Sequence, residues 1–158
     1  MSTRLAGLCL LATLLPGGAA WSAPADPELR ARVEGLLGAY RAVTVAEWRA
    51  VGPDAAPVLE AVAADAQALP TRRARALAAL GLVRPTAAGP LVRRLASDVT
   101  APVVLRSAAV EVAAGVLGAD AQGVLVPLLG DREAVVRLRS APRPQAVPCA
   151  LPRPLLRR

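Results

Sequence analysis

Apolar residues recur along most of this chain at intervals of three and four, which places them on one face of an α-helix. Leu29, Val33 and Leu36 show the pattern first, and Asp26 precedes them as a capping carboxylate. We therefore predict a first helix that starts directly after this aspartate and runs to about Val43.

Thr44 and Glu47 have the spacing of a capping box, in which each side chain binds the other residue's backbone N–H. A short second helix carrying Trp48 is expected to follow and to end at Gly52, before a proline. Residues 21–51 are thus predicted to form an N-terminal helical pair, with the tryptophan as a core residue.

Beyond this pair the pattern repeats at an interval of 33 residues. Three aspartates keep the interval, as do two rows of apolar residues and, one helix later, two arginines. In order these are Asp65, Asp98 and Asp131; Val58, Leu91 and Val124; Val62, Leu95 and Leu128; and Arg73 and Arg106. A fixed period of roughly 20–50 residues is typical of a solenoid, in which each unit is buried by its neighbours.

The chain is therefore expected to be all-α: a short right-handed α-solenoid of stacked helix pairs that is incomplete at its C-terminus. Its units would span residues 52–84 and 85–118, with a partial unit at 119–141. Thr86 and Asp120 are predicted to cap the first helices of the second and third units. Composition agrees, because 54% of residues are hydrophobic, only 2% are aromatic, and alanine is the best helix former.

The segment from Gly52 to Leu59 resembles the start of a HEAT repeat of the short, Ala-rich type that is also found in the phycobilin lyase group. An aspartate at the end of a first helix, followed by Val-Arg as in Val136-Arg137, is similar to the same family. The resemblance covers residues 44–140. It implies a HEAT-type solenoid and favours a non-catalytic scaffold for protein–protein interaction. A lyase-like HEAT enzyme is the alternative.

In HEAT proteins the repeat aspartate and an arginine of the second helix form a ladder that joins neighbouring units. The resemblance implies this structural role here for Asp65 with Arg73, for Asp98 with Arg106, and for Asp131 with Arg137 or, alternatively, Arg139. The competing interpretation is a set of solvated loop charges, whose exposed ion pairs would contribute about 0–1 kcal/mol each.

The same resemblance implies a concave face formed by the second helices, which would contact a protein partner. On this face Arg72 and Arg75 of the first unit are expected to project outward, beside Leu105 and Glu111 of the second. The alternative is that the charges among them only keep the surface soluble.

The chain offers little for catalysis. It contains no histidine, which excludes Ser-His-Asp and Cys-His arrangements and histidine-bound metals. Two carboxylate pairs, Asp26 with Glu28 and Asp131 with Glu133, look like helix-start residues, because the helix dipole favours acids in a first turn. We expect no catalytic, cofactor-binding or metal-binding residue.

The net charge of +7 is distributed unevenly along the chain. Four of the positive charges lie in residues 142–158, which contain no acid, whereas residues 21–141 are nearly balanced. A balanced body lacks the basic surface that binds a phosphate backbone, so no nucleic-acid partner is expected.

Residues 1–20 have the pattern of a secretory signal peptide. Arg4 supplies a positive start, Leu5–Leu15 is an apolar run, and small residues follow up to Ala20. This run is too short to span roughly 30 Å of hydrocarbon, so no permanent membrane span is expected. The prediction is an exported protein, periplasmic or associated with the cell envelope.

Residues 142–158 are rich in proline and arginine and are predicted to be a disordered tail. The loss of acids and the gain of proline begin where an Ala-rich helix should continue. This is the pattern of GC-rich DNA read out of frame, with the change between Arg137 and Ala141. The chain would then be a non-functional product of a disrupted gene. A native Pro-rich ligand or a basic tail for an anionic surface is the alternative.

Overall fold

The computed structural model describes residues 26–142. Within this range 79% of residues are helical and none lies in a strand, which confirms the all-α class. The predicted signal peptide and nearly all of the predicted tail lie outside the described residues.

Eight α-helices make up the described part of the chain. They are α1 (Pro27–Gly38), α2 (Val45–Val51), α3 (Ala56–Ala64), α4 (Pro70–Val83), α5 (Pro85–Ser97), α6 (Val103–Leu117), α7 (Ala121–Leu125) and α8 (Ala134–Ser140). Short 3₁₀ turns precede α3 and α7 and follow α7, at Pro53–Ala55, Gly118–Asp120 and Pro127–Gly130.

The first two helices start as the sequence predicts. Asp26 Oδ1 accepts a hydrogen bond from the Glu28 N–H at 3.1 Å. In the capping box of α2, Thr44 Oγ1 accepts from the Glu47 N–H at 3.2 Å, and Glu47 Oε2 accepts from the Thr44 N–H at 2.8 Å. These bonds satisfy backbone donors that a helix start leaves without partners.

Three predicted boundaries are wrong. Helix α1 ends at Gly38 and not near Val43, because a side chain of α4 takes up carbonyl groups at its end, as described below. Thr86 lies inside α5 and caps nothing, since Pro85, with its φ already suited to a helix, starts that helix one residue after α4 ends. Asp120 makes no side-chain capping bond and pairs with Arg93 instead.

The helices of residues 52–140 pack in antiparallel neighbours that follow the sequence. Helix α3 lies against α4, and α5 lies against α6. Helices in equivalent places also touch: α4 contacts α6, α6 contacts α8, α3 contacts α5, and α5 contacts α7. The repeated sequence interval is therefore matched by a repeated set of helix contacts.

Burial follows the same interval of 33 residues. Equivalent positions are buried together in the first helices and again in the second helices, because each unit turns the same faces inward. The buried sets are Ala55, Ala88 and Ala121; Leu59 and Val92; Ala63 and Ala96; Ala76 and Ala109; Leu77 and Val110; and Leu80 and Ala113. The core is thus continuous from unit to unit and consists almost entirely of alanine, leucine and valine.

The third unit departs from this regularity in its loop. Five residues separate Asp65 from the start of α4, and five separate Asp98 from the start of α6, but α8 starts only three residues after Asp131. Helix α8 is also short, with 7 residues against 14 in α4 and 15 in α6. It still buries Val136 against the rest of the core.

Candidate functional site

The three repeat aspartates perform one local task. Asp65, Asp98 and Asp131 each end the first helix of a unit with extended backbone. In each case Oδ1 accepts a hydrogen bond from the N–H two residues later, at 2.9, 2.9 and 2.8 Å. This is an Asx turn, in which a carboxylate replaces the helix hydrogen bond that the backbone has lost. The aspartate spacing therefore marks the loop of every unit.

One arginine–aspartate pair joins two units in the core. Both Nη1 and Nη2 of Arg106, on α6, donate to the carboxylate of Asp131, with 3.4 Å between Nη1 and Oδ1. The two side chains are 0% and 6% exposed, so water hardly screens the pair. The Arg106 guanidinium and then the Glu133 N–H hold the pKa of Asp131 below its usual value. Arg106 Nε is buried without a hydrogen-bond partner in residues 26–142.

The first unit does not repeat this pair. Arg73 occupies the fourth position of α4, as Arg106 does in α6, but its Nε donates to the carbonyl of Ala63 at 3.1 Å. Asp98, which lies where Asp131 does one unit later, is held by Thr100, whose hydroxyl and N–H lower the pKa of Asp98; the charge of Arg106 has a smaller effect. The only ladder ion pair that the described residues form is thus the one between the second and third units.

The shorter third loop determines which arginine of α8 is the equivalent one. Arg137 is the fourth residue of α8, the position that Arg73 and Arg106 hold in their own helices. Its Nη1 donates to the carbonyls of Asp131 at 2.7 Å and Arg132 at 3.0 Å. Arg139 lies farther along and pairs with Glu111. Geometry therefore gives the ladder position to Arg137.

A second bond links the same loops. Arg132 Nη2 donates to the carbonyl of Val99 at 3.1 Å, and these residues are 33 apart and lie in equivalent loops. The third loop is thereby fastened to the second through both a buried ion pair and a surface hydrogen bond.

Of the four residues expected at a partner-binding face, Leu105 is placed wrongly by the sequence reasoning. It is 0% exposed and lies in the core. The repeat interval explains this, because Leu105 is the third residue of α6 and its counterpart Val136, third in α8, is buried as well. Arg72 holds this position in α4 and stays partly exposed, since Glu34 of α1 pairs with its guanidinium.

Glu111 and Arg75 do lie on exposed parts of the second helices. Glu111 pairs with Arg139 of α8 and so links α6 to α8. Arg75 Nη1 donates to the carbonyls of Leu37 at 3.2 Å and Ala39 at 3.1 Å, which takes up the carbonyl end of α1. Both of the outward arginines of α4 are therefore held by α1, not left free as the sequence suggested.

Arg75 lies between two open clefts. The larger, of about 330 Å³, is bounded by the link between α1 and α2, by Trp48 and by α4. The smaller, of about 210 Å³, lies at the other side of the same arginine, next to Leu37, Leu69 and Arg72. Sequence reasoning missed the larger cleft. Its one signal was the tryptophan, which is buried as expected and also forms part of the cleft wall.

The rim of the larger cleft carries a second arginine. Arg41 Nη1 donates to Glu47 Oε2 at 2.9 Å, and Nη2 binds the other carboxylate oxygen. This pairing, with the backbone and hydroxyl of Thr44, lowers the pKa of Glu47 to about 2. Glu47 thus neutralises Arg41 and caps α2 at the same time. Tyr40 lies beside it and is fully exposed.

The carboxylate pairs considered for catalysis have structural partners. Asp26 caps α1, and Asp131 is bound by Arg106. Among residues 26–142 no group of three histidine, cysteine, aspartate or glutamate side chains is placed to hold a metal ion. None of the helices described is long and apolar enough to cross a membrane.

Comparison with known proteins adds no relative. The chain matches no protein-family model, and no match was found to a curated protein or to a solved structure.

Proposed function

We propose that residues 52–141 form a HEAT-type right-handed α-solenoid, with α3–α4 and α5–α6 as full units and α7–α8 as a partial one. The contacts between helices in equivalent places support this, as does the burial of residues 33 apart. The three Asx turns support it further, since one loop structure recurs in every unit.

In this proposal the protein is a non-catalytic scaffold that binds another protein in the cell envelope. The observation that carries it is a row of exposed or half-buried positions shared by the second helices. Thr71, Arg75, Ala78 and Leu82 of α4 have Val104, Ala108, Glu111 and Gly115 of α6 as their counterparts, each 33 residues later. Because α4 and α6 are in contact, the two rows form one surface with the Arg75 clefts at its edge.

Site-specific photocrosslinking tests this function. A photoreactive amino acid is placed at Leu82 or Gly115, on the second helices, and in matched controls at Ala61 or Arg94, which are exposed on the first helices and are also 33 apart. The full chain is expressed in its source cells and irradiated. We expect one protein to be crosslinked from the second helices and none from the first. Equal labelling of both surfaces, or no crosslinked protein, would contradict the proposal.

A disrupted gene is the second candidate, and one observation favours it. Helix α8 ends at Ser140, inside the interval where the composition changes, and it leaves Leu138 76% exposed. Val126 and Leu129 are exposed nearby in sequence, as they would be where a further helix is missing. Translating the gene in its other two frames beyond Arg137 tests this: one frame should continue an Ala-rich helix, and the idea fails if neither does.

A further inference from the structure

The larger cleft combines an apolar wall with one fixed cation. Its wall is formed mainly by Leu36, Val43, Trp48, Ala79 and Leu82, and its volume of about 330 Å³ is at the lower end of the range for ligand sites, roughly 300–1,000 Å³. Within the described residues, no carboxylate lines this cleft or the smaller one beside it. The charge at these walls is therefore positive only.

Arg75 is the cation that remains available for a ligand. Its Nη1 is held by two carbonyls, whereas Nε and Nη2 make no hydrogen bond and no acid pairs with it within residues 26–142. Arg41 and Arg72, the other two arginines at these clefts, are paired with Glu47 and Glu34. Fixing one nitrogen orients the guanidinium before a ligand arrives, and this reduces the entropy lost on binding.

We propose that this site binds a segment of a partner protein in which an aspartate or glutamate stands next to a bulky apolar residue. The carboxylate would bind the free edge of Arg75, as carboxylates bind guanidinium groups in pairs of hydrogen bonds. The apolar side chain would fill the cleft against Trp48 and Leu82. A single unpaired cation suits one carboxylate next to an apolar group and does not suit a polyanion such as nucleic acid. This inference rests on the scaffold function proposed above and specifies its ligand.

Selection from a library of random twelve-residue peptides tests the proposal even while the partner protein is unidentified. The purified full chain is the target, and the strongest selected peptide is then measured by fluorescence anisotropy. We expect the selected sequences to be enriched in an acid adjacent to leucine, isoleucine or phenylalanine. We also expect binding to weaken as salt is raised, since an exposed charge pair is screened.

Three variants distinguish this site from a general charge effect. Arg75→Gln should weaken the selected peptide by about tenfold or more, as is usual when a charged hydrogen-bond partner is lost. Ala78→Glu, which leaves Arg75 and its bonds in place, should do the same by repelling the carboxylate from the cleft wall. Arg94→Gln, an exposed arginine on α5, should bind as the unmodified chain does. Circular dichroism confirms that each variant is folded.

The proposal is overturned if no acid is enriched, or if both Arg75→Gln and Ala78→Glu bind the peptide unchanged. It is also overturned if Arg94→Gln weakens binding as much as they do, because the effect would then be one of net charge. If crosslinking from Gly115 captures a partner while these peptide tests fail, the scaffold function stands and the cleft is not its recognition site. If crosslinking fails as well, both proposals are wrong.

Discussion

At the scale of single residues, equivalent positions in the repeat have diverged in what they bind. Arg73, Arg106 and Arg137 hold the same place in successive second helices, yet only Arg106 forms a buried ion pair. Both partners of this pair are withdrawn from water, so removing one of them leaves a charge with neither water nor a counterion. The energetic weight of the ladder is therefore concentrated at one junction.

Replacing Arg106 with alanine should be strongly destabilising. We expect the free energy of unfolding to fall by about 3–5 kcal/mol, the range for breaking a buried ion pair from one side. Arg73→Ala is the matched control, because it removes an arginine from the equivalent position with a single bond to a carbonyl, and it should cost about 1 kcal/mol. Urea denaturation measures both. Equal losses would show that the Arg106 pair has no special weight.

The acid side of the stability profile follows from three lowered pKa values. Glu47, Asp98 and Asp131 all have folded-state pKa values below their ordinary ones. A group whose pKa is lowered by folding stabilises the native state fully above its unfolded pKa, and this is lost as pH falls through the folded pKa. We expect unfolding free energy to fall from about pH 5 toward pH 2. Because the chain has no histidine, no step from that side chain should occur near neutral pH.

Asp131→Asn isolates one part of this effect. An amide oxygen can still accept the N–H of Glu133, so the turn is kept, but the charge that pairs with Arg106 is absent. The variant should be less stable at pH 7 and should lose less stability on acidification. Chemical denaturation at several pH values measures both quantities. An acid dependence as steep as that of the unmodified chain would contradict the assignment.

At the scale of elements, helices pack closely because small residues lie where they meet. Gly81 of α4 faces α6, and a Cβ built on it would lie 3.1 Å from Val116 Cγ2. Gly115 of α6, by contrast, has open space around it. The alanine-rich composition therefore has a structural consequence: it lets neighbouring second helices approach each other closely.

A pair of glycine substitutions tests this contact. Gly81→Leu should lower the free energy of unfolding by about 1–3 kcal/mol, because the larger side chain must displace Val116 and the helix around it. Gly115→Leu should raise it by about 0.5–1 kcal/mol, through better helix propensity alone. Thermal unfolding followed by circular dichroism gives the two shifts. Shifts of the same sign would show that α4 and α6 are not closely packed at Gly81.

At the scale of the whole molecule, stability should decline toward the C-terminal end. Helices α4 and α6 each contact helices on both sides, whereas α8 has seven residues and leaves Leu138 exposed. In a stack of units, a helix with fewer buried contacts opens more readily. We expect amide hydrogen exchange to be slowest in α4 and α6 and much faster in α7 and α8. Equal protection across Ala121–Ser140 would contradict this gradient.

The order of amino acids was enough to predict the all-helical class, the starts of α1 and α2 and the 33-residue interval, because these depend on neighbours three or four positions apart and on local caps. Packing between distant helices was needed for the rest. It buried Leu105, tied Arg72 and Arg75 to α1, and left a cleft beside Trp48. A loop two residues shorter moved the ladder position in α8 to Arg137. These outcomes depend on where whole helices come to rest against each other, and no local pattern contains that information.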